Sequence, residues 1–283
     1  MTEVRFFGNG LPGFKKKRLP GKLIVLEGTD GVGRSTQIAL LREWLESEGY
    51  AVAATGLKRG ELARKGIKSA MLGHTLGDTT MNLFYATDFA DRLEREIIPY
   101  LRASFVVLLD RYIYSIIARA QVRGADPTWL RGVFGFALVP DIVFYLQADL
   151  ANLIPRVLNA GGFSYWESGM DFLPGRNYYD SYIEYQTNLI AQFDAIAEEF
   201  EMVHVDANRS IHDVFTDLRS EIGNLIKGMK PPKHLKKKLE EKAKEKAPRE
   251  KEKDAKEKKK NEDTKKKSEQ ESNKAEKKGK GVS

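Results

Sequence analysis

The stretch EGTDGVGRST, residues 27–36, decides the fold of this chain. It follows the pattern G-x-x-x-x-G-K-[ST], in which a glycine-rich turn between a strand and a helix surrounds phosphate groups. Gly28 and Gly33 have the required spacing, and the hydroxyl residue Ser35 follows. Arg34 replaces the lysine of the pattern and carries the same charge on a wider, planar head. The stretch therefore predicts a phosphate-binding loop with an unusual cation.

The segments around the loop predict alternating strands and helices. KLIVLE (22–27) is a short apolar run, typical of a strand buried on both faces. The residues after the loop, up to Gly49, have the spacing of an amphipathic helix, and a long helix is predicted over 82–101, ending near Pro99. Runs at 50–55, 104–110, 141–147 and 202–206 predict four more strands. This pattern predicts an α/β fold of three layers, with a five-stranded parallel sheet and helices on both faces.

Polar residues follow the predicted strands where each one ends: the loop itself, Lys58 with Arg59, and Asp110 with Arg111. Parallel sheets bind ligands beyond the carboxyl ends of their strands, so these residues should meet at one rim. The Ser35 hydroxyl and the Asp110 carboxylate are expected to bind Mg²⁺. Arg34 would contact the phosphates, and Arg111 could bind a second anion with two parallel hydrogen bonds. The predicted catalytic residues are Arg34, Asp110 and Arg111, and the predicted cofactor site is Gly28, Thr29, Asp30, Gly31, Val32, Gly33, Arg34, Ser35 and Thr36.

Composition limits the class of protein. The 283 residues include no cysteine, which excludes disulfides and thiol catalysis and is compatible with a reducing, cytoplasmic compartment. No run of 18 apolar residues is present, so no membrane insertion is expected. The four histidines have no metal-binding spacing.

The charge distribution predicts a folded body and a disordered tail. The net charge is +7, but the segment from Lys230 onward contains 22 of the 47 Lys and Arg residues and 12 of the 40 Asp and Glu residues, so the body is mildly acidic. The tail has no aromatic residue and almost nothing to bury. It is either a solvated extension or a weak contact for polyanions. The predicted organisation is an N-terminal extension (1–20), one folded domain (21–228, whose segment at about 157–175 is called the lid below) and the Lys/Glu-rich tail (229–283).

From about residue 22 to residue 226 the chain resembles the thymidylate kinase family of P-loop nucleoside monophosphate kinases. The segments that carry the resemblance are EGTDGVGRSTQ, LFYATDFADR, DRYIYS, PDIVFYLQAD and VDANRSIHDV. The resemblance implies phosphoryl transfer from ATP with Mg²⁺ to a nucleoside monophosphate, with dTMP as the family default, and a homodimer packed through helices. It places Asp30 at the acceptor's sugar, Arg111 at its phosphate, and Phe84 or Tyr85 on its base, with Tyr112 and Ser115 in the same acceptor string.

Several positions depart from the family pattern. The arginine expected to recognise the pyrimidine is replaced by Asp88 or Phe89, and Pro99 lies one residue late. Lys58 or Arg59 could supply a phosphate contact in place of a missing Arg-Glu-Pro segment. The lid contains no Lys or Arg, although Arg156 and Arg176 flank it. Its polar and aromatic residues could fold onto the body or contact the acceptor: Tyr165, Trp166, Glu167 and Asp171.

Two functions therefore remain open. The first is an ATP-dependent nucleoside monophosphate kinase. The alternative is a catalytically weak or inactive nucleotide-binding protein with a polyanion-binding tail. A nucleoside kinase is disfavoured because it needs a general base just past the second strand, where this chain has Leu57, Lys58 and Arg59.

Overall fold

A computed structural model describes residues 4–15, 18–57, 64–73, 76–173 and 175–229. The described residues belong to one compact unit. The predicted disordered tail, beyond residue 229, and the predicted phosphate contact Arg59 lie outside the described residues.

The sheet has five parallel strands in the order β2-β3-β1-β4-β5. The strands are β1 (Lys22–Glu27), β2 (Val52–Gly56), β3 (Val106–Asp110), β4 (Ile142–Gln147) and β5 (Val203–Asp206). The predicted α/β fold is confirmed. β1 lies at the centre, and the chain goes from it outward to one side and later to the other, which opens a crevice at the carboxyl ends of the middle strands.

Helices cover both faces of the sheet. They are α1 (Arg34–Ser47), α2 (Arg64–Gly73), α3 (Asp78–Arg92), α4 (Ile98–Arg102), α5 (Ile113–Val122), α6 (Pro127–Val133), α7 (Leu150–Asn159), α8 (Tyr178–Glu199) and α9 (Ile211–Ile226). Alternate residues of β1 enter two separate cores, since successive side chains of a strand point to opposite faces. Leu23 and Val25 pack under α3, α5 and α8, whereas Ile24 and Leu26 pack under α1 and α9.

The long helix predicted over 82–101 is interrupted by a π turn. α3 continues through the π turn Leu93–Ile97 into α4, and the N–H of Ile98 donates to the carbonyl of Leu93, five residues back. A π turn contains one more residue than an α turn. Pro99 has no N–H, so the wider turn falls where the helical ladder loses a donor anyway. The helix continues past Pro99 and ends at Arg102, one residue beyond the predicted span 82–101.

The N-terminal segment packs on the body. Phe6 forms a β-bridge with Leu138, and the Phe7 ring makes edge contacts with Tyr114 and Phe200. These aromatic contacts connect the segment to the core between α5 and α8.

Within the part of the chain that the structure describes, no helix is long and apolar enough to cross a bilayer.

Candidate active site

The glycine loop connects β1 to α1 as predicted. Gly28 and Gly31 have φ angles of 136° and 79°, which L side chains rarely adopt. A side chain on Gly28 would also collide with the carbonyl oxygen of Leu146, so the loop passes directly against β4. Thr29 and Val32 are buried, whereas Thr36 is exposed on the first turn of α1.

The N-terminus of α1 is open to an anion. Its N-cap residue, Gly33, has no side chain to cap the first turn, and that turn contains no acidic residue. The first backbone N–H groups of a helix have no partner within the helix, and they carry partial positive charge. The loop therefore presents unpaired donors where the sequence predicts phosphate.

Arg34 extends back across the loop that precedes it. Its Nη1 donates to the carbonyl oxygens of Gly28 and Thr29, and its Nε donates to Asp110 at 2.9 Å. The side chain is only 7% exposed. Nη2 makes no hydrogen bond to a described residue; the nearest carboxylate oxygen, on Asp30, is 3.9 Å away. Three donors thus brace the loop and two remain for a ligand.

Ser35 and Asp110 lie together, as the magnesium prediction requires. The Ser35 hydroxyl donates to Asp110 at 2.7 Å, while Arg34 occupies the other carboxylate oxygen. Mg²⁺ is usually bound by one or two protein oxygens together with water and substrate phosphates. Among the described residues no group of three or more acidic or histidine ligands is present. The donor set therefore fits a magnesium ion that is bound largely by phosphates.

A second charged cluster lies beside the first and is centred on Asp30. Arg111 and Arg119 each donate from Nη2 to one carboxylate oxygen of Asp30. Arg111 has a positive φ of 72°, a conformation that is uncommon outside glycine and often marks functional sites. Burial and repulsion from Arg119 lower the pKa of Arg111 to about 9, so it remains protonated at neutral pH. Arg119 is not among the site residues predicted from the sequence.

Glu27 is a site residue that the sequence analysis missed. Its fully buried carboxylate accepts hydrogen bonds from the Tyr112 N–H at 2.7 Å and from the hydroxyl and N–H of Ser115. Burial raises the pKa of Glu27 to about 7, although these hydrogen bonds and the charges of Arg34 and Arg111 lower it. The carboxylate caps the start of α5 and fixes the backbone on either side of Arg111. The available signal was a charged residue at the end of an otherwise apolar strand.

One cavity of about 510 Å³ joins the two charged clusters. Asp30, Arg34, Ser35, Asp110, Arg111 and Ser115 all line it. Tyr85 lines it too, whereas Phe84 packs against Gly66 of α2 and is not among the lining residues. Tyr112 is not brought to the cavity, because its ring is buried in the core and its hydroxyl donates to the carbonyl of Leu138.

The predicted lid forms a fixed wall of this cavity. Residues 165–171, here called the lid wall, are fastened to the body by Arg123, which donates to both carboxylate oxygens of Asp171 and to the hydroxyl of Tyr185. Trp166 Nε1 donates to the carbonyl of Met71 at 3.1 Å, and Gln186 donates to the carbonyl of Glu167. The wall packs on the body, as one of the two readings predicted, and four of its residues line the cavity: Tyr165, Trp166, Glu167 and Asp171. Their contact with the acceptor stays a prediction.

The two arginines that flank the lid differ in position. Arg156 lies beside the phosphate loop, close to Gly31, and its Nη2 donates to the carbonyl of Ala207 at 3.0 Å. Arg176 is half-exposed and pairs with Glu184 at 2.7 Å. Arg156 is therefore the flanking cation nearer to the loop.

The class of protein follows from the position of the loop. It joins the central strand of a parallel sheet to α1 and bonds to the aspartate that ends β3. This is the arrangement of P-loop nucleotide-binding proteins.

The particular family follows from comparison with known proteins. The thymidylate kinase family matches residues 26–218. The chain belongs to this family of nucleoside monophosphate kinases. It is 36% identical to "Probable thymidylate kinase 2" of Saccharolobus solfataricus over 208 residues, which cover 73% of this chain and 97% of the relative. It is 32% identical to "Probable thymidylate kinase" of Pyrococcus horikoshii over 216 residues, 74% of this chain and 99% of the relative.

Proposed function

We propose that this protein transfers the γ-phosphoryl group of ATP to a nucleoside monophosphate, with dTMP as the expected acceptor and dTDP as the product. The observation that carries the proposal is that two adjacent residues, Asp110 and Arg111, bind different side chains in the cavity. Asp110 bonds to Arg34 and Ser35 where the phosphate loop enters α1, while Arg111 bonds to Asp30, the loop residue that the family resemblance places at the acceptor's sugar. The end of β3 would therefore position the ATP phosphates through Asp110 and the acceptor through Arg111.

On the donor side, this chain binds and orients the ATP phosphates. The unpaired N–H groups at the start of α1 and the free Nη2 of Arg34 would contact the β- and γ-phosphates. A magnesium ion held by Ser35 and Asp110 would neutralise charge on the transferred group. Phosphoryl transfer needs little covalent help from the protein, so positioning and charge account for most of the catalysis.

On the acceptor side, the guanidinium groups of Arg111 and Arg119 would bind the monophosphate in exchange for part of their contact with Asp30. The released carboxylate of Asp30 would then be available for a sugar hydroxyl. An acceptor that is already an anionic phosphate does not require a general base to remove a proton. Two cations next to one carboxylate suit such an acceptor better than a neutral nucleoside.

A catalytically weak nucleotide-binding protein is the second candidate, and one observation favours it. Three N–H donors of Arg34 are hydrogen-bonded to the loop carbonyls and to Asp110. Arg34 is therefore less free to follow the phosphoryl group than a lysine would be. The lid sequence at 157–175 offers no Lys or Arg in compensation.

A coupled assay tests the kinase proposal. ATP, Mg²⁺ and one acceptor from the set dTMP, dUMP, UMP, dCMP and dGMP are mixed with the full chain, and formation of ADP is followed. We expect turnover that depends on the acceptor, with dTMP among the best. ATP binding with no turnover for any monophosphate would reject the kinase and leave the nucleotide-binding alternative.

The homodimer and the polyanion contact are parts of the proposal that need their own measurements. Light scattering should give twice the 32.0 kDa mass of the chain. Binding of the full chain to a polyanion should weaken steeply with added salt, because counterions are released on binding.

A further inference from the structure

A largely buried amide of α3, that of Asn82, lies in the wall of the cavity. Asn82 is 7% exposed and lines the cavity, yet it makes no hydrogen bond to any described residue. The other buried polar residues that line the cavity, Arg34 and Ser115, are both hydrogen-bonded. A polar group in a cavity wall that has no hydrogen bond to the described residues is available to a ligand, and a ligand that pairs with it gains a hydrogen bond.

The surroundings of Asn82 suit a flat, partly apolar ligand. Tyr85 lies one turn further along α3 and lines the same cavity, as do Met81, Ile116 of α5 and Trp166 of the lid wall. An aromatic ring beside apolar side chains is a surface on which a planar base can stack. The side-chain amide of Asn82 gives this surface one group that can form hydrogen bonds with such a base.

Neither Arg123 nor the pair Phe89 and Arg92 presents a free polar group to the base. Arg123 donates from Nε, Nη1 and Nη2 to protein oxygens. Phe89 and Arg92, near the position where the family carries its base-recognising arginine, are buried in the core and do not line the cavity. Arg92 pairs with Asp88 at 3.3 Å. The usual source of base recognition is therefore not presented to the acceptor.

We propose that Asn82 recognises the base of the acceptor nucleotide, an inference that rests on the proposed function. Its amide offers one acceptor oxygen and one donor NH₂ group from a single planar edge. That edge complements the N3–H and carbonyl of thymine or uracil. Turned over, it complements N3 and the amino group of cytosine. An arginine offers donors only, so an amide at this position discriminates less strongly between the two kinds of pyrimidine.

Calorimetric binding to the full chain tests this role with three probes: dTMP, N3-methyl-dTMP, which lacks the N3–H, and 2-deoxyribose 5-phosphate, which lacks the base. For the unmodified protein we expect dTMP to bind about 10- to 100-fold more tightly than N3-methyl-dTMP, as two paired hydrogen bonds are lost. Asn82→Leu, of similar volume, should remove most of this difference. Its affinity for 2-deoxyribose 5-phosphate should stay within about twofold of the unmodified value, because that probe makes no contact with the amide.

Control variants show whether a change in binding is specific to the amide of Asn82. Thr80→Leu makes a similar polar-to-apolar change on the exposed side of the same helix and should change none of the affinities. Asn82→Ala replaces Asn82→Leu in the experiment if the leucine disturbs the packing. Thermal melting shows whether both variants are folded. Retention of the dTMP preference in Asn82→Leu and Asn82→Ala would overturn the role of Asn82 alone. Failure of every probe to bind the unmodified protein would overturn the acceptor site itself, and with it the proposed function.

Discussion

The two ends of the cavity are built in opposite ways. The phosphate loop is one short stretch of chain whose own backbone supplies its donors, and Arg34 and Asp110 brace it. The lid wall also has local backbone turns, such as the bond from the N–H of Met170 to the carbonyl of Tyr165, but side chains from α5 and α8 attach it to the body. The comparison teaches that the donor end is specified locally and the acceptor end by tertiary packing. Substitutions should therefore affect the two ends differently.

The largest effect is expected for the ion pair between Arg123 and Asp171, which fastens the lid wall to the body. Arg123→Ala would leave the largely buried carboxylate of Asp171 without its partner, and breaking a buried ion pair from one side costs about 3–5 kcal/mol. Urea unfolding measures the loss. Arg131→Ala is the matched control, because the Arg131–Glu199 pair is exposed and should contribute less than about 1 kcal/mol. Equal losses in the two variants would show that the wall is not fastened by Arg123.

The next effect concerns catalysis at the junction of the two ends. Arg111→Ala should lower kcat/KM for the acceptor by an amount equivalent to about 2–4 kcal/mol of transition-state stabilisation, as for removal of one well-placed donor. ATP affinity should change little, because Arg111 bonds to the side chain of Asp30, which is proposed to contact the acceptor, and Ser35 bonds to Asp110 instead. Steady-state kinetics and ATP titration measure both. Arg176→Ala, which removes an exposed pair with Glu184, is the control. A parallel loss of ATP binding would place Arg111 on the donor side.

A smaller effect depends on pH and on Glu27. A carboxylate whose pKa is raised from 4.5 to about 7 in the folded protein stabilises the fold fully only below pH 4.5. That contribution is lost as pH rises towards 7. Between pH 5 and pH 8 the free energy of unfolding should fall by about 2.5 kcal/mol more in the unmodified protein than in Glu27→Gln. Urea unfolding of both proteins at several pH values between 5 and 8 tests this prediction. Identical pH profiles would mean that Glu27 titrates normally.

The sequence predicted the donor end well because its determinants are consecutive in the chain. The strand-loop-helix order and all five strands follow from local patterns of polarity. Asp110 is 75 positions from Ser35, and the sequence predicted it at the same rim because it ends a strand. The π turn was not predicted, since the widening of a helix by one residue leaves hydrophobic spacing nearly unchanged. The ion pair of Arg123 and Asp171 joins residues 48 positions apart, and no local sequence pattern indicates such a contact. Sequence alone could not choose between Phe84 and Tyr85, because adjacent helical positions differ by only 100° of rotation.

The smallest expected effect separates the two roles of Arg34. A lysine has one ammonium group, so Arg34→Lys can contact the loop carbonyls, Asp110 or a phosphate, but not all of them together. Loss of one such hydrogen bond should cost about 1 kcal/mol of ligand-free stability. The rise in melting temperature caused by ATP with Mg²⁺ should persist in this variant and nearly vanish in Arg34→Ala, because only the lysine keeps a cation for the phosphates. Arg42→Lys, in an exposed pair with Glu46, controls for a general arginine effect. An undiminished ATP shift in Arg34→Ala would show that Arg34 only braces the loop. Faster turnover in Arg34→Lys would show that its hold on the loop limits phosphoryl transfer.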